Sequence, residues 1–344
     1  MNPDPLPRER LLATHTTRPS ARASLSLVVP VHNEAAGLDA LFTRTLPVLE
    51  SLGLPWELIA VDDGSSDASL ELLRGWAARE PRIRLLVLAR PFGKDAAVTA
   101  GLDFASGDGV VPMDADLQDP PELLPEMVAA WRDGADVVNA VREARPDDSL
   151  AVRWAAAAFY RLMTRLLRVR MAPDVGDYRL LDRRVVAAVG ALREQNRFLK
   201  GLVSWPGFRT AAVRYVRPGR ACGRSAWSWW RLWNFALDGI VGYSSAPLRI
   251  WLYVGCLVSG AAFTYGSVLV LRKLVWGADL PGYTSIMAAI LFLGGLQLVA
   301  LGLIGEYLGR MHAETKGRPL YVVSDLVGMD ADARSGAGGR SDPP

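Results

Sequence analysis

The residue types best suited to chemistry lie in one stretch, Val110 to Glu122, where an apolar run ends in Asp114 and Asp116. At a spacing of i, i+2 on an extended backbone, both carboxylates point to one side, roughly 7 Å apart. With the amide oxygen of Gln118 they offer hard oxygen donors suited to Mg2+ or Mn2+, ions that commonly bridge to substrate phosphates. Asp119, followed by Pro120 and Pro121, predicts a helix start with an acidic N-cap, because proline fits the first helical turn and cannot continue a strand ladder. The acids are therefore expected at the exposed end of a strand, just ahead of a helix. A bare Asp-x-Asp also fits an acidic loop that only solubilises and caps, so its reading depends on its surroundings.

The elements that must position this pair repeat through the first part of the chain. Leu25–Val31 is a buried-strand run ending in His32, Asn33 and Glu34, and an amphipathic pattern through Leu38, Leu41, Phe42, Leu46 and Leu49 predicts the helix after it. Glu57–Val61 is a second strand, ending in Asp62, Asp63 and Gly64, with a helix that carries Leu70, Leu72, Leu73 and Trp76. A third, Ile83–Leu88, leads through Phe92, Gly93 and Lys94 to a helix over Asp95–Ala105, and the fourth, Gly109–Met113, delivers the acidic pair. Strand alternating with helix in this way predicts a parallel sheet with right-handed crossovers. Polar residues gather at the carboxyl end of every strand, where open α/β sheets bind ligands. Asp63 there can accept hydrogen bonds from a base N–H or a ribose hydroxyl, and Lys94 beside a helix start is suited to phosphate. A capped βα turn explains any one of these pieces; four in order converge on one site. Beyond Asp136 the pattern loosens, and Val137–Arg142 reads as another strand.

With 344 residues there is room for two domains, and a net charge of only +3 excludes a broad nucleic-acid footprint. The two cysteines, Cys222 and Cys256, stand in unlike contexts and suggest no disulfide, which fits a reducing cytosolic setting. Positive charge is carried mostly by arginine; Lys94, Lys200, Lys273 and Lys316 are the only lysines. Residues 1–23 are polar and lack the apolar core of a signal peptide; they and the Gly/Ser/Asp-rich tail after Asp330 are expected to be disordered. Ser149–Arg170 predicts a helix with Arg153, Arg161, Arg165 and Arg168 within an arc of roughly 120° at 100° per residue. That face suits either an ordinary surface helix or one lying on an anionic membrane. Ile250–Leu271 and Thr284–Gly305 contain no charged residue, and each would extend roughly 33 Å as a helix, against a hydrocarbon core of about 30 Å. Trp227, Trp229, Trp230, Trp233, Tyr243, Trp251, Tyr253 and Trp276 crowd the approaches, as an interfacial aromatic belt would. The expected order is a juxtamembrane amphipathic helix over 227–245, two spans within 246–309 and a cytosolic tail over 310–344. A buried soluble helical hairpin is the competing explanation. Two spans leave both termini on one side, and the basic residues of the connection and of the following segment do not decide which.

Taken together, these motifs resemble a family-2 glycosyltransferase of the glycosyltransferase A fold, and more narrowly the polyprenyl-phosphate glycosyltransferases. The resemblance runs from about Leu25 to Val323. It is carried by Pro30–Glu34, Val61–Asp67, Asp114–Glu122, Gly176–Leu180, Arg197–Gly201 and the Ala246–Arg249 entry to the first span. It implies an α/β, Rossmann-like, mostly parallel sheet over 24–226, followed by two transmembrane helices. It further implies that Pro30, His32, Glu34, Val61, Asp63, Lys94 and Ala115 hold a nucleotide sugar, together with Arg220. Asp114, Asp116 and Gln118 would hold Mg2+ or Mn2+ and the diphosphate. Arg142, Arg153, Lys200 and Arg224 would face the acceptor phosphate. Asp177 is a candidate base, although its neighbour Arg179 makes a structural ion pair an equal reading. One departure stands out: Gly223-Arg224-Ser225-Ala226-Trp227 has Ala226 where many relatives carry lysine, and Arg224 is placed to supply the charge instead.

The implied reaction is inverting transfer from a nucleotide sugar, UDP-glucose first and GDP-mannose next, to a polyprenyl phosphate on the cytosolic face of an inner or plasma membrane. A lipid phosphate is largely ionised at neutral pH, so it attacks without a general base. The chain contains no Gln-x-x-Arg-Trp, the motif with which processive synthases hold a growing polymer. A processive or other-acceptor transferase and a non-enzymatic membrane scaffold are the rival readings; metal-dependent nucleotide binding separates the scaffold from the enzymes. Homo-oligomerisation is left open.

Overall fold

The computed structural model describes residues 23–142, 175–195, 197, 199–215, 246–276 and 282–329. The expected interfacial helix over 149–170, the juxtamembrane helix over 227–245, both terminal segments and the side chains of Arg153, Arg220, Arg224 and Ala226 lie outside these residues. The chain divides into an α/β unit, which the segment from Pro319 onward rejoins, and a helical unit that includes Trp227–Arg318.

The apolar runs form the strands they predict. β1 (Leu25–Val31), β2 (Trp56–Asp62), β3 (Ile83–Leu88) and β4 (Gly109–Pro112) alternate with α1 (Ala35–Ser51), α2 (Ser69–Arg79) and α3 (Lys94–Phe104). A 3-10 turn at Pro121–Leu123 and α4 (Leu124–Arg132) lead to β5 (Val137–Arg142), then β6 (Val175–Asp182), α5 (Arg183–Ala191), α6 (Leu199–Ser204) and β7 (Thr210–Tyr215). The sheet has eight strands in the order β7-β5-β6-β4-β1-β2-β3-β8, with β8 at Val323–Val327. β1 pairs in parallel with both β2 and β4, and β2 with β3. β6 is antiparallel to both β4 and β5, and β8 is antiparallel to β3. The sheet is mostly parallel, as expected, with three strands, β6, β7 and β8, that the sequence reading does not name. β8 falls within the segment expected to be a cytosolic tail. It covers the β3 edge, and Asp325 pairs with Arg74 at 2.9 Å.

Strand alternation sends side chains to two apolar layers. Leu25, Leu27, Val29 and Val31 of β1 pack with α1 and α4, whereas Val28 faces α3 beside Val61, Ala97 and Val98. α3 lies so close to the sheet that a Cβ on Gly101 would collide with Val28 Cγ1 and stand 3.2 Å from Val61 Cγ2. That contact sets the height of the helix whose first residue is Lys94.

The helical unit contains α7 (Ala246–Trp276) and α8 (Tyr283–Thr315). Their apolar side chains are largely exposed, Leu257, Phe263 and Leu298 among them. Among the described residues, Phe292–Thr315 is long and apolar enough to cross a membrane, and Tyr253–Val268 forms a shorter apolar stretch.

Gly101→Ala is expected to destabilise the α/β unit by about 1–3 kcal/mol through overpacking against Val28. Thermal unfolding of the purified protein checks it, and an unchanged Tm would mean that α3 can lift from the sheet at no cost.

Candidate active site

In the strand order β3-β2-β1-β4 the chain reverses direction of winding between β1 and β4, and such a switch point opens a crevice at the carboxyl ends of the two strands. His32, Asn33 and Glu34 follow β1, and Asp114–Gln118 follow β4. The acidic pair does not lie on the strand itself: β4 ends at Pro112, and the acids sit on a turn in which Leu117 has a φ of 57°. Asp114 and Asp116 are half-buried on either side of buried Ala115. Asp116 Oδ1 accepts from the Gln118 backbone N–H at 3.1 Å, which closes the turn on itself.

The expected N-cap role of Asp119 is not what the structure gives. The helical turn begins at Pro121 without a side-chain cap, and Asp119 is buried, its Oδ1 accepting from the Tyr215 hydroxyl at 3.2 Å. The Tyr178 hydroxyl donates to the Pro120 carbonyl at 3.0 Å, and the two tyrosine rings meet edge to face. A tyrosine from β6 and one from β7 thus brace the far end of the acidic turn. Burial, with Asp119 beside it, pushes the Tyr178 phenol well above its ordinary value, so it stays a donor.

The β1 and β2 loops are tied to each other. Asn33 adopts a φ of 56°, tolerable for asparagine, and its Oδ1 accepts from the Ser66 N–H at 2.8 Å. The N–H groups of Glu34 and Ala35, at the start of α1, donate to Ser69 Oγ at 2.9 Å and Asp67 Oδ2 at 3.2 Å. The α1 N-terminus is therefore capped from the neighbouring loop instead of standing open to an anion. His32 Nδ1 lies 2.8 Å from the Asp63 carbonyl oxygen. Asp63 is buried, and its two carboxylate oxygens accept from the N–H groups of Phe92 at 2.6 Å and Gly93 at 2.8 Å. Its carboxylate holds the turn that delivers Lys94, with one further lone pair on each oxygen for a ligand. Pro30 and Val61 are register partners in β1 and β2 beneath these loops, and Val61 is fully buried.

Lys94 is the centre of the charge arrangement. Its Nζ is 2.6 Å from Asp114 Oδ1, 2.7 Å from Asp114 Oδ2 and 3.0 Å from Asp177 Oδ2. Lys200, on α6, reaches within 3.9 Å of Asp177 Oδ1. Burial works against the lysine's charge, but Asp114 and Asp177 more than offset it and raise its pKa above the ordinary value. Burial likewise opposes the charge on Asp177, yet Lys94 and Lys200 hold its carboxyl below the usual aspartate range. The partner of Asp177 is thus Lys94, with Arg179 at longer range: the Arg179 guanidinium is buried and donates to the Gly176 carbonyl at 2.8 Å. Glu34 shows the opposite stress. Burial, then Asp116 and Asp114, push its carboxyl above the ordinary 4.5.

Asp114 and Asp116, with Gln118 next to them, are the residues that could hold a divalent cation. The donor chemistry fits: an ammonium already lies against both oxygens of Asp114, and Asp116 and Asp114 add to the burial that pushes the Glu34 carboxyl up. Among the described residues no group of three His, Cys, Asp or Glu side chains forms a ready-made metal cage, so such an ion would need oxygens from a ligand. Of the expected acceptor contacts, Lys200 joins this cluster and Arg142 ends β5, while Arg153, Arg220 and Arg224 lie outside the described residues.

Comparison with known proteins matches residues 26–190 to the glycosyl transferase family 2 and residues 246–311 to the GtrB C-terminal hairpin. The chain is 47% identical over 306 residues to an uncharacterized glycosyltransferase of Synechocystis, covering 89% of this chain and 96% of that one. It is 41% identical over 301 residues to the bactoprenol glucosyl transferase of Shigella phage SfV, covering 88% and 98%. Among solved structures, glucosyl-3-phosphoglycerate synthase from Mycobacterium tuberculosis, in complex with Mn2+, UDP-glucose and phosphoglyceric acid, is similar at 22% identity and a TM-score of 0.44, over 64% of this chain and 78% of that one.

Glu34→Gln should raise the stability of the ligand-free protein. A carboxyl whose pKa is raised on folding costs stability once the pH exceeds that raised value, and costs nothing below its ordinary value of 4.5. The variant is expected to melt about 1–3 °C higher at pH 7.5, with the gain gone at pH 4. A gain that persists at pH 4 would point to a cause other than the crowded carboxylates.

Proposed function

Because the chain belongs to the family-2 glycosyltransferases, we propose that it transfers a glucosyl group from UDP-glucose to a polyprenyl phosphate at the cytosolic face of a membrane, inverting the anomeric centre. The observation that carries this reading is the gathering of Asp114, Asp116, Glu34, Lys94 and Asp177 at the switch point, joined to an apolar helix pair. The bactoprenol glucosyl transferase relatives support both the sugar and the lipid acceptor; the first rival donor is GDP-mannose.

Asp114, Asp116 and Gln118 would hold Mg2+ or Mn2+, which neutralises the diphosphate and helps it leave. His32, Glu34 and Asp63 line the nucleotide side, with Asp63 acting mainly by fixing the Phe92–Lys94 turn. An acceptor phosphate oxygen attacks the anomeric carbon, the bond from that carbon to the diphosphate oxygen breaks, and an α-linked donor yields a β-linked product. The second pKa of a phosphate monoester is about 6, so the attacking oxygen is already anionic. A base is then unnecessary, which agrees with an Asp177 that two lysines keep ionised and weakly basic. What remains for the chain's own residues is orientation and charge compensation, for which Lys94 and Lys200 beside Asp177 would supply positive charge.

Connectivity supports two spans rather than one. A chain that leaves the sheet after β7 and rejoins the same sheet at β8 would cross a membrane an even number of times in between. If Phe292–Thr315 crosses, α7, with 31 residues and room for a full span, is the element available for the return.

Asp116→Asn should leave the Tm within about 1 °C and reduce transfer by more than tenfold, a loss of over ~1.4 kcal/mol in transition-state stabilisation. Membranes containing the protein, supplied with polyprenyl phosphate and either labelled UDP-glucose or labelled GDP-mannose, should make labelled lipid from the first alone. Labelling from GDP-mannose, or a variant keeping most of its rate, would overturn the sugar or the role of the acidic pair respectively.

A further inference from the structure

We propose that Lys94 is an internal counter-cation, which occupies the carboxylate fork of Asp114 before the donor binds and gives it up when the donor's divalent cation arrives. This deepens the reading above and rests on Asp114 being a cation-binding carboxylate.

The geometry is one of exclusion. With Nζ at 2.6 and 2.7 Å from the two oxygens of Asp114, the ammonium fills the position in which a bidentate cation would lie. A Mg2+ ion binds oxygen at about 2.0–2.1 Å, so it and the ammonium cannot share the fork. Even one-oxygen coordination would bring two positive centres within a few ångströms of each other. The lysine has somewhere to go: its third contact, to Asp177 at 3.0 Å, does not depend on Asp114, and its four-carbon stem rises from the first residue of α3. The residue type is informative too. Where a chain draws nearly all its positive charge from arginine, this position has a compact ammonium that can touch three oxygens of two carboxylates and let go of one.

The consequence is a site that resists a bare ion. Lys94 lies against Asp114 and Asp177 in advance, so a cation alone must displace an ammonium to enter the Asp114 fork. Together with a diphosphate, the added negative charge restores the incentive and gives the released ammonium a new partner of opposite sign. Metal and nucleotide would then be taken up as a unit.

The test measures Mn2+ alone, without nucleotide, by electron paramagnetic resonance of the free ion, on the full chain in detergent. Lys94→Met and Lys94→Gln should each bind Mn2+ about threefold to tenfold tighter than wild type, the scale expected on removing a half-exposed competing ion pair. Lys94→Arg, which keeps the charge, should not tighten. Both neutral variants should at the same time turn over more slowly, so that ion affinity and catalysis move in opposite directions, which a merely structural lysine would not produce. Unchanged or weaker Mn2+ binding in both neutral variants, with binding lost in Asp114→Asn, overturns the counter-cation and leaves the metal role of Asp114 standing. Equal Mn2+ binding by wild type and Asp114→Asn instead overturns the metal assignment on which it rests.

Discussion

Crowding of like charge is the constraint around which this site is built. Glu34, Asp114, Asp116 and Asp177 come from three separate strand ends, and folding brings their charges within range of one another. Left alone they would repel, and Asp116 and Asp114 add to the burial that pushes Glu34 upward. Lys94 and Lys200 relieve the Asp114–Asp177 side, which leaves the excess on the Glu34–Asp116 side. The arrangement is therefore asymmetric. One side has lysines against its carboxylates, and on the other Asp116 adds to the burial that pushes Glu34 up.

Holding such a cluster requires rigid loops, and nearly every tie comes from a different element. Asn33 and Ser69 join the first two βα loops; Asp63 grips the third; Tyr178 and Tyr215 brace the fourth. Each tie satisfies a backbone or hydroxyl group that would otherwise be costly to bury. The same bonds that complete the fold fix the spacing of the acids. Mutations at these supports are expected to act on the geometry of the acids rather than on their identity.

How much of this is legible in the sequence follows from range. β1 to β5 are local: each is an apolar run with punctuation, and the structure reproduces their positions within a residue or two. β6 carries Asp177 and Arg179 among its apolar residues, and its antiparallel insertion between β4 and β5 depends on partners far away in the chain. β8 reads Val-Ser-Asp-Leu-Val, too short and too polar to announce a strand; it forms because the edge of β3 is there to receive it. The site shows the same division. That Asp63 and Lys94 stand at strand ends is a local fact. That Asp63 spends its oxygens on Phe92 and Gly93, or that Asp119 meets a tyrosine 96 residues on, is a fact of folding alone.

The return of the chain to β8 adds more than an eighth strand. Leu320, Val323, Leu326 and Met329 pack onto the layer that holds α3, and the Tyr321 hydroxyl donates to Asp103 at 2.8 Å, near the other end of that helix. Asp103 is also clasped by Arg193, through contacts of 2.7 and 3.0 Å. α3 is thus fixed at its carboxyl end by residues that follow the apolar helices, while its amino end presents Lys94 to the acids. The helical unit is joined to the α/β unit at both of its ends, once through the chain after β7 and once through β8.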